Sequence, residues 1–142
     1  MKKLFATFAL VALFAVSAVA EGNVPYINKA DFDKKVANST ALKPWKYLGN
    51  KPAIIDFTAS WCPPCKKLAP VLDELAGKFS KDIVVYKVDV DDQPELAKAF
   101  GVQTIPTLLY IPMSGEPQRS VGFLPLDDLE KRVNTVLLKK QK

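Results

Sequence analysis

The sequence predicts an α/β fold, a central mixed sheet of four to five strands flanked by helices, and three observations carry that expectation. First, short β-rich apolar runs at residues 53–58 and 83–90 alternate with segments whose apolar residues recur at helical spacing. Such alternation calls for crossover helices and a mostly parallel sheet. Second, two further β-rich runs, residues 106–111 and 118–123, are joined by a turn through Pro112, Ser114 and Gly115, which predicts a hairpin at one edge. Third, 142 residues without an internal repeat or a low-complexity segment suit one domain.

The elements follow in order. Lys2 and Lys3, an apolar run over residues 4–16 and the ending Ala18-Val19-Ala20 form the three parts of a secretory signal peptide, residues 1–20. The apolar run falls short of the roughly 20 residues that span a bilayer, which argues for cleavage after Ala20 over a retained tether. No cysteine follows it to carry a lipid. The short leader looks bacterial and predicts the periplasm, an oxidising compartment. Residues 21–51 read as a lead-in and the first helix of the domain. Phe32 and Val36 lie four apart, with acidic residues first and lysines later, predicting a helix over 30–38. Residues 42–51, with Pro44, Trp45 and Gly49, read as a connector. Asn38-Ser39-Thr40 matches a glycan acceptor but reads as a polar turn.

Residues 52–142 form the expected core. Ala53-Ile54-Ile55-Asp56-Phe57-Thr58 suits a buried strand. Leu68, Val71, Leu72, Leu75 and Phe79 mark a helix over 62–79, which Pro70 should kink because its ring removes a backbone donor. Residues 93–100 predict a short helix stopped by Gly101. Residues 126–138 predict a single terminal amphipathic helix, acidic at its start and basic beyond its end.

Composition excludes several functions. With no histidine, Ser-His-Asp and Cys-His hydrolases, imidazole metal sites and histidine proton shuttles are all ruled out. A net charge of +5, reduced by two when Lys2 and Lys3 leave with the signal, is too mild to imply nucleic acid. The Lys139-Lys140-Gln141-Lys142 tail reads as a solvated end.

The chain's two cysteines both stand in Trp61-Cys62-Pro63-Pro64-Cys65. They lie where a buried strand ends and a helix begins, and open α/β sheets place their sites at the carboxyl ends of strands. A helix start favours an anion through its unpaired N–H groups and dipole. Cys62, near the N-cap, is thus the sulfur stabilised as thiolate, the attacking species in disulfide exchange. Cys65, one turn further in, should be more buried and act as the resolving thiol. Pro63 and Pro64 suit a first helical turn but delete two donors, leaving the Cys65 amide nearest the Cys62 sulfur. A passive disulfide closing so small a loop contributes only about 2 kcal/mol. A zinc or iron–sulfur site needs roughly four ligands and this pair supplies two, so no metal is expected.

From about Pro52 to Leu138 the chain resembles the thioredoxin family. The resemblance rests on Asp56-Phe57, Trp61-Cys62-Pro63-Pro64-Cys65-Lys66, Pro70, Lys87, Asp91, Ile105-Pro106-Thr107, Gly115 and Gly122, in family order. It implies a thioredoxin fold and a cis Ile105–Pro106 bond beside the sulfurs, with the Ile105 backbone pairing with an extended client segment. It also implies that Asp56 is a buried carboxylate of raised pKa acting as base for Cys65, with Lys87 facing it. Asp56 and Lys87 could instead be only a packing pair. Trp61 is implied as the aromatic beside the site. Thr58 stands where a second aromatic is common and Ser60 where an acid often stands, which makes the site less bulky and less acidic.

The expected function is a periplasmic thiol–disulfide oxidoreductase, most simply a reductase. Cys62 would attack a client disulfide, Cys65 would resolve it, and a membrane electron donor would restore the dithiol. No cofactor beyond the cysteine pair and no nucleic acid are implied, and a monomer is expected. An oxidase or isomerase would use the same cysteines, and a non-catalytic binding module is the alternative of a different class.

Overall fold

A computed structural model describes residues 23–140, so the expected signal peptide lies outside the described residues. In chain order the elements are α1 (Lys29–Lys35), β1 (Ala53–Thr58), α2 (Pro63–Lys78), β2 (Val84–Asp89), α3 (Pro94–Ala99), β3 (Thr107–Ile111), β4 (Gln118–Val121) and α4 (Leu126–Arg132). The four strands make one sheet in the order β2-β1-β3-β4. This is the expected mixed sheet flanked by helices.

The sheet is less parallel than the alternation implied. β1 pairs parallel with β2, but β3 runs antiparallel to both β1 and β4. The chain between β2 and β3, with the six-residue α3 in it, stays at the end of the sheet where β1 and β2 finish, and β3 starts there. That end gathers the carboxyl ends of β1 and β2, the start of β3 and the end of β4, since Thr107 pairs with both Phe57 and Val121.

Two helical layers cover the sheet. Ile54 of β1 packs with Leu68, Leu72 and Leu75 of α2 and with Leu129 of α4. On the other face Ala53, Ile55 and Phe57 pack with Phe32 of α1 and with Leu96 of α3 and the adjoining Phe100. Strand alternation fixes this division, because successive side chains point to opposite faces.

Several boundaries differ from expectation for local reasons. α1 ends before residue 38, because Ser39 N–H donates to Asp33 Oδ1 (2.8 Å) and turns the chain away. α2 runs unbroken through Pro70, whose ring is exposed, so the Lys66 carbonyl that loses its partner faces water. The terminal helix is not uniform. Beyond α4 it widens into a π turn, Val133–Leu137, with Leu138 N–H donating to the Val133 carbonyl. Leu129, Val133 and Leu137, all buried, explain the widening. A four-residue step overshoots an α turn by about 40°, and a wider turn takes that back, keeping the stripe on the sheet. The connector holds a cis Lys43–Pro44 bond that no sequence pattern marked. Among the described residues no helix is long and apolar enough to cross a membrane.

Candidate functional site

Cys62 is the N-cap of α2, with extended backbone, and Pro63 and Pro64 occupy the first helical positions. The proline rings preset the φ of that turn. With their donors gone, Cys65 N–H is the amide that reaches the Cys62 sulfur, at 3.3 Å. The two sulfurs form a disulfide, with Cα atoms 5.2 Å apart.

Both cysteines are buried, Cys62 at 3 % exposure and Cys65 at 2 %. The expected contrast in depth is therefore absent. Cys62 is covered by neighbours outside its own helix, packing with Ala59, Val90 and Ile105. Pro63 and Pro64, between the two cysteines in the chain, are exposed.

The Ile105–Pro106 bond is cis, and the Ile105 carbonyl oxygen lies 3.8 Å from Cys62 Sγ. The next strand braces this loop. Gly122 N–H donates to the Pro106 carbonyl at 2.8 Å with φ at +89°, a conformation that glycine adopts at little cost. Trp61 stands 63 % exposed beside the disulfide, and its indole Nε1–H donates to Asp91 Oδ2 at 2.7 Å. The Asp91 amide in turn donates to Asp89 Oδ1. Asp91 was legible as a motif residue, but its hold on Trp61 was not, because 30 residues separate the two. Val121 and Phe123 are also exposed, giving the loops around the disulfide an apolar rim.

Asp56 and Lys87 are partners across the β1–β2 pair. Asp56 lies on the sheet face of Ile54, which α2 covers, one step nearer the cysteine end. On α2 the buried stripe of that face begins at Cys65 and continues through Leu68 and Leu72. Asp56 is almost fully buried and its Oδ1 has no hydrogen-bond partner among the described residues. Burial raises its pKa to about 7, and the positive charge of Lys87 opposes that rise. Lys87 makes no contact-distance ion pair with it. Its ammonium lies 5.6 Å from the centre of the Tyr26 ring, an approach that no local pattern marks. Tyr26 belongs to the lead-in, which bridges β2 in parallel at Lys87.

This arrangement sets a disulfide at a helix start, a proline loop against the Cys62 sulfur and a buried carboxyl with an unpartnered oxygen in the layer beneath. A dithiol there can exchange with another disulfide, and the carboxyl, titrating near neutrality, can take a thiol proton. Among the described residues no cluster of three or more acidic, cysteine or histidine side chains could hold a metal ion.

Comparison with known proteins gives consistent answers. The thioredoxin family model matches residues 23–135. A thioredoxin of Borreliella burgdorferi is 45 % identical over 104 residues, covering 73 % of this chain and 89 % of that protein. A thioredoxin of Haemophilus influenzae is 41 % identical over 111 residues, covering 78 % of this chain and 94 % of that one. Chloroplastic thioredoxin z superposes with a TM-score of 0.66 at 29 % identity, over 80 % of this chain and 93 % of the other.

Proposed function

The chain belongs to the thioredoxin family, and on that premise we propose that it reduces disulfides of periplasmic client proteins, with Cys62 attacking and Cys65 resolving. That it is a disulfide oxidoreductase whose redox group is the Cys62–Cys65 pair, without a separate cofactor, follows from the family and from the pair itself. The observation that carries the assignment of roles is the Cys65 N–H 3.3 Å from Cys62 Sγ at the start of α2. This donor and the helix dipole both favour negative charge on Cys62.

In the reduced protein, Cys62 thiolate attacks one sulfur of the client disulfide. That S–S bond breaks, a mixed disulfide forms, and the departing client thiolate takes a proton from solvent. Cys65 then gives its proton to Asp56, directly or through a water, and attacks Cys62 Sγ. The Cys62–client bond breaks and the second client sulfur leaves as thiolate, to be protonated in turn. Two electrons have passed from the protein to the client. The Ile105 carbonyl borders the Cys62 sulfur, with the exposed Trp61 next to Cys62 in the chain, and an extended client strand can pair with the Ile105 backbone there.

The leader-like first twenty residues support export to the periplasm. There the dithiol must be regenerated, and a membrane electron donor is the proposed source. We assign the working form as a monomer.

Insulin reduction by the wild type and Cys62→Ser tests the chemistry, with loss of turnover expected in the variant. Equal turnover in both would defeat the catalytic assignment. Equilibration against glutathione tests direction, because 30 mV corresponds to about 1.4 kcal/mol in a two-electron couple. A strongly oxidising potential would replace the reductase by an oxidase or isomerase using the same cysteines.

A further inference from the structure

We propose that Tyr26 is a positioning residue for the site: its ring, lying over the Lys87 ammonium at the outer edge of the sheet, holds that charge beside Asp56. The inference deepens the reading of Asp56 as the base for Cys65 and rests on it for its functional meaning.

A row of residues crosses the sheet at this level. Tyr26 bridges Lys87, Lys87 pairs with Asp56, and Asp56 pairs with Leu108. Residues in register share a face, so the Tyr26, Lys87 and Asp56 side chains stand in a row on the sheet face that α2 packs against, Asp56 and Lys87 buried and Tyr26 exposed at the edge. The lead-in is fastened at this row. Lys87 N–H donates to the Pro25 carbonyl and Ile27 N–H to the Lys87 carbonyl, both at 2.9 Å, while Val24 N–H donates to Asp73 Oδ1 of α2.

Core packing does not explain Tyr26, which is 61 % exposed between the buried Val24 and Ile27. What its ring does contact is a cation. Lys87 is a buried lysine that makes no ion pair among the described residues, and its Nζ lies 5.6 Å from the Tyr26 ring centre. An aromatic face attracts an ammonium most strongly where water is thin. The other titratable or charged groups near this row are Asp73 on α2, Asp89 on β2, Tyr110 on β3 and Arg132, whose guanidinium lies over the Tyr110 ring. Asp73 and Asp89 both attract Lys87. Without the ring, the flexible lysine can turn to them or to bulk water, and Asp56 loses part of its counter-charge.

The test is a carboxyl carbon NMR titration of Asp56 in the full chain with its disulfide closed, where neither cysteine carries a proton. Removing the aromatic face by Tyr26→Leu should move the Asp56 midpoint up by roughly half a pH unit, a fraction of what a neighbouring cation is worth. Tyr26→Phe, which keeps the ring and lacks the hydroxyl, should titrate as the wild type does. Lys87→Gln should give a larger upward shift, and Tyr26→Leu should add nothing to it, since the tyrosine acts only through the lysine. An unmoved midpoint in Tyr26→Leu, equal shifts in Tyr26→Leu and Tyr26→Phe, or an undiminished Tyr26→Leu effect in the Lys87→Gln background would each overturn the proposal. The base role of Asp56 is decided separately, by whether Asp56→Asn slows resolution of a trapped mixed disulfide.

Discussion

The two faces of β1 are equally buried and chemically unlike. Ala53, Ile55 and Phe57 point to the α1 and α3 layer, where Phe57 and Phe32 pack around Phe100 with ring centres 5.7 and 5.3 Å away. Ile54, Asp56 and Thr58 point to the α2 layer and become polar toward the cysteine end, although all six residues are buried. One face spends its burial on stability. The other gives some of it up to hold a carboxyl of raised pKa near a disulfide, and a single strand does both because its side chains alternate.

The largest effect belongs to the apolar face. Phe57→Ala should destabilise the protein by about 3–5 kcal/mol, the range for a large aromatic truncated in a tight core. Urea denaturation at pH 5 and pH 8 should give similar losses, because no titrating group is involved. A loss under 1 kcal/mol would mean that this layer collapses around the cavity and that the contrast between faces is weaker than the packing implies.

Asp56→Asn sharpens the comparison from the other face, with the opposite sign. The folded carboxyl releases its proton near pH 7, against an ordinary value of 3.8. Between those values the folded protein holds more protons than the unfolded chain, so stability falls as pH rises through the window. The full loss is at most about 4 kcal/mol above pH 7, the upper figure for a shift of this size. Asparagine does not titrate. The variant should therefore match the wild type near pH 4, exceed it by a few kcal/mol at pH 8, and resolve mixed disulfides more slowly. A variant less stable than the wild type at pH 8 would show that the carboxylate serves packing after all.

The same contrast explains what could be read from the sequence. The apolar β1 run, the α2 stripe from Cys65 to Leu75 and the helix start at Cys62 are local patterns, and local sterics and periodicity decide them. The family resemblance carried the cis Ile105–Pro106 bond and the pairing of Asp56 with Lys87. The direction of β3 was hidden because it depends on the end of the sheet at which the connection after β2 stays, which no local pattern records. The equal burial of the cysteines was hidden because Ile105, 43 residues from Cys62, supplies the cover. No pattern singles out Tyr26 in the lead-in, because its partner Lys87 lies 61 residues away and only the register brings them together. In each case the deciding neighbour is distant in the chain.

The smallest effect lies at the exposed rim, where Trp61 is held by Asp91 alone among the described hydrogen bonds. Asp91 is exposed, and a hydrogen bond to an exposed charged acceptor is worth about 1 kcal/mol or less net. Asp91→Ala should therefore leave stability nearly unchanged and free the indole to rotate, visible as lower Trp61 fluorescence anisotropy in a Trp45→Phe background. If the fixed indole helps seat clients, the KM for insulin should rise by severalfold with little change in kcat, because the tryptophan makes no bond to the reacting sulfurs. Asp91→Asn keeps an acceptor and should recover most of both signals. A fall in kcat with KM unchanged would instead place Trp61 in the exchange step, making the rim part of the chemical site and not its border.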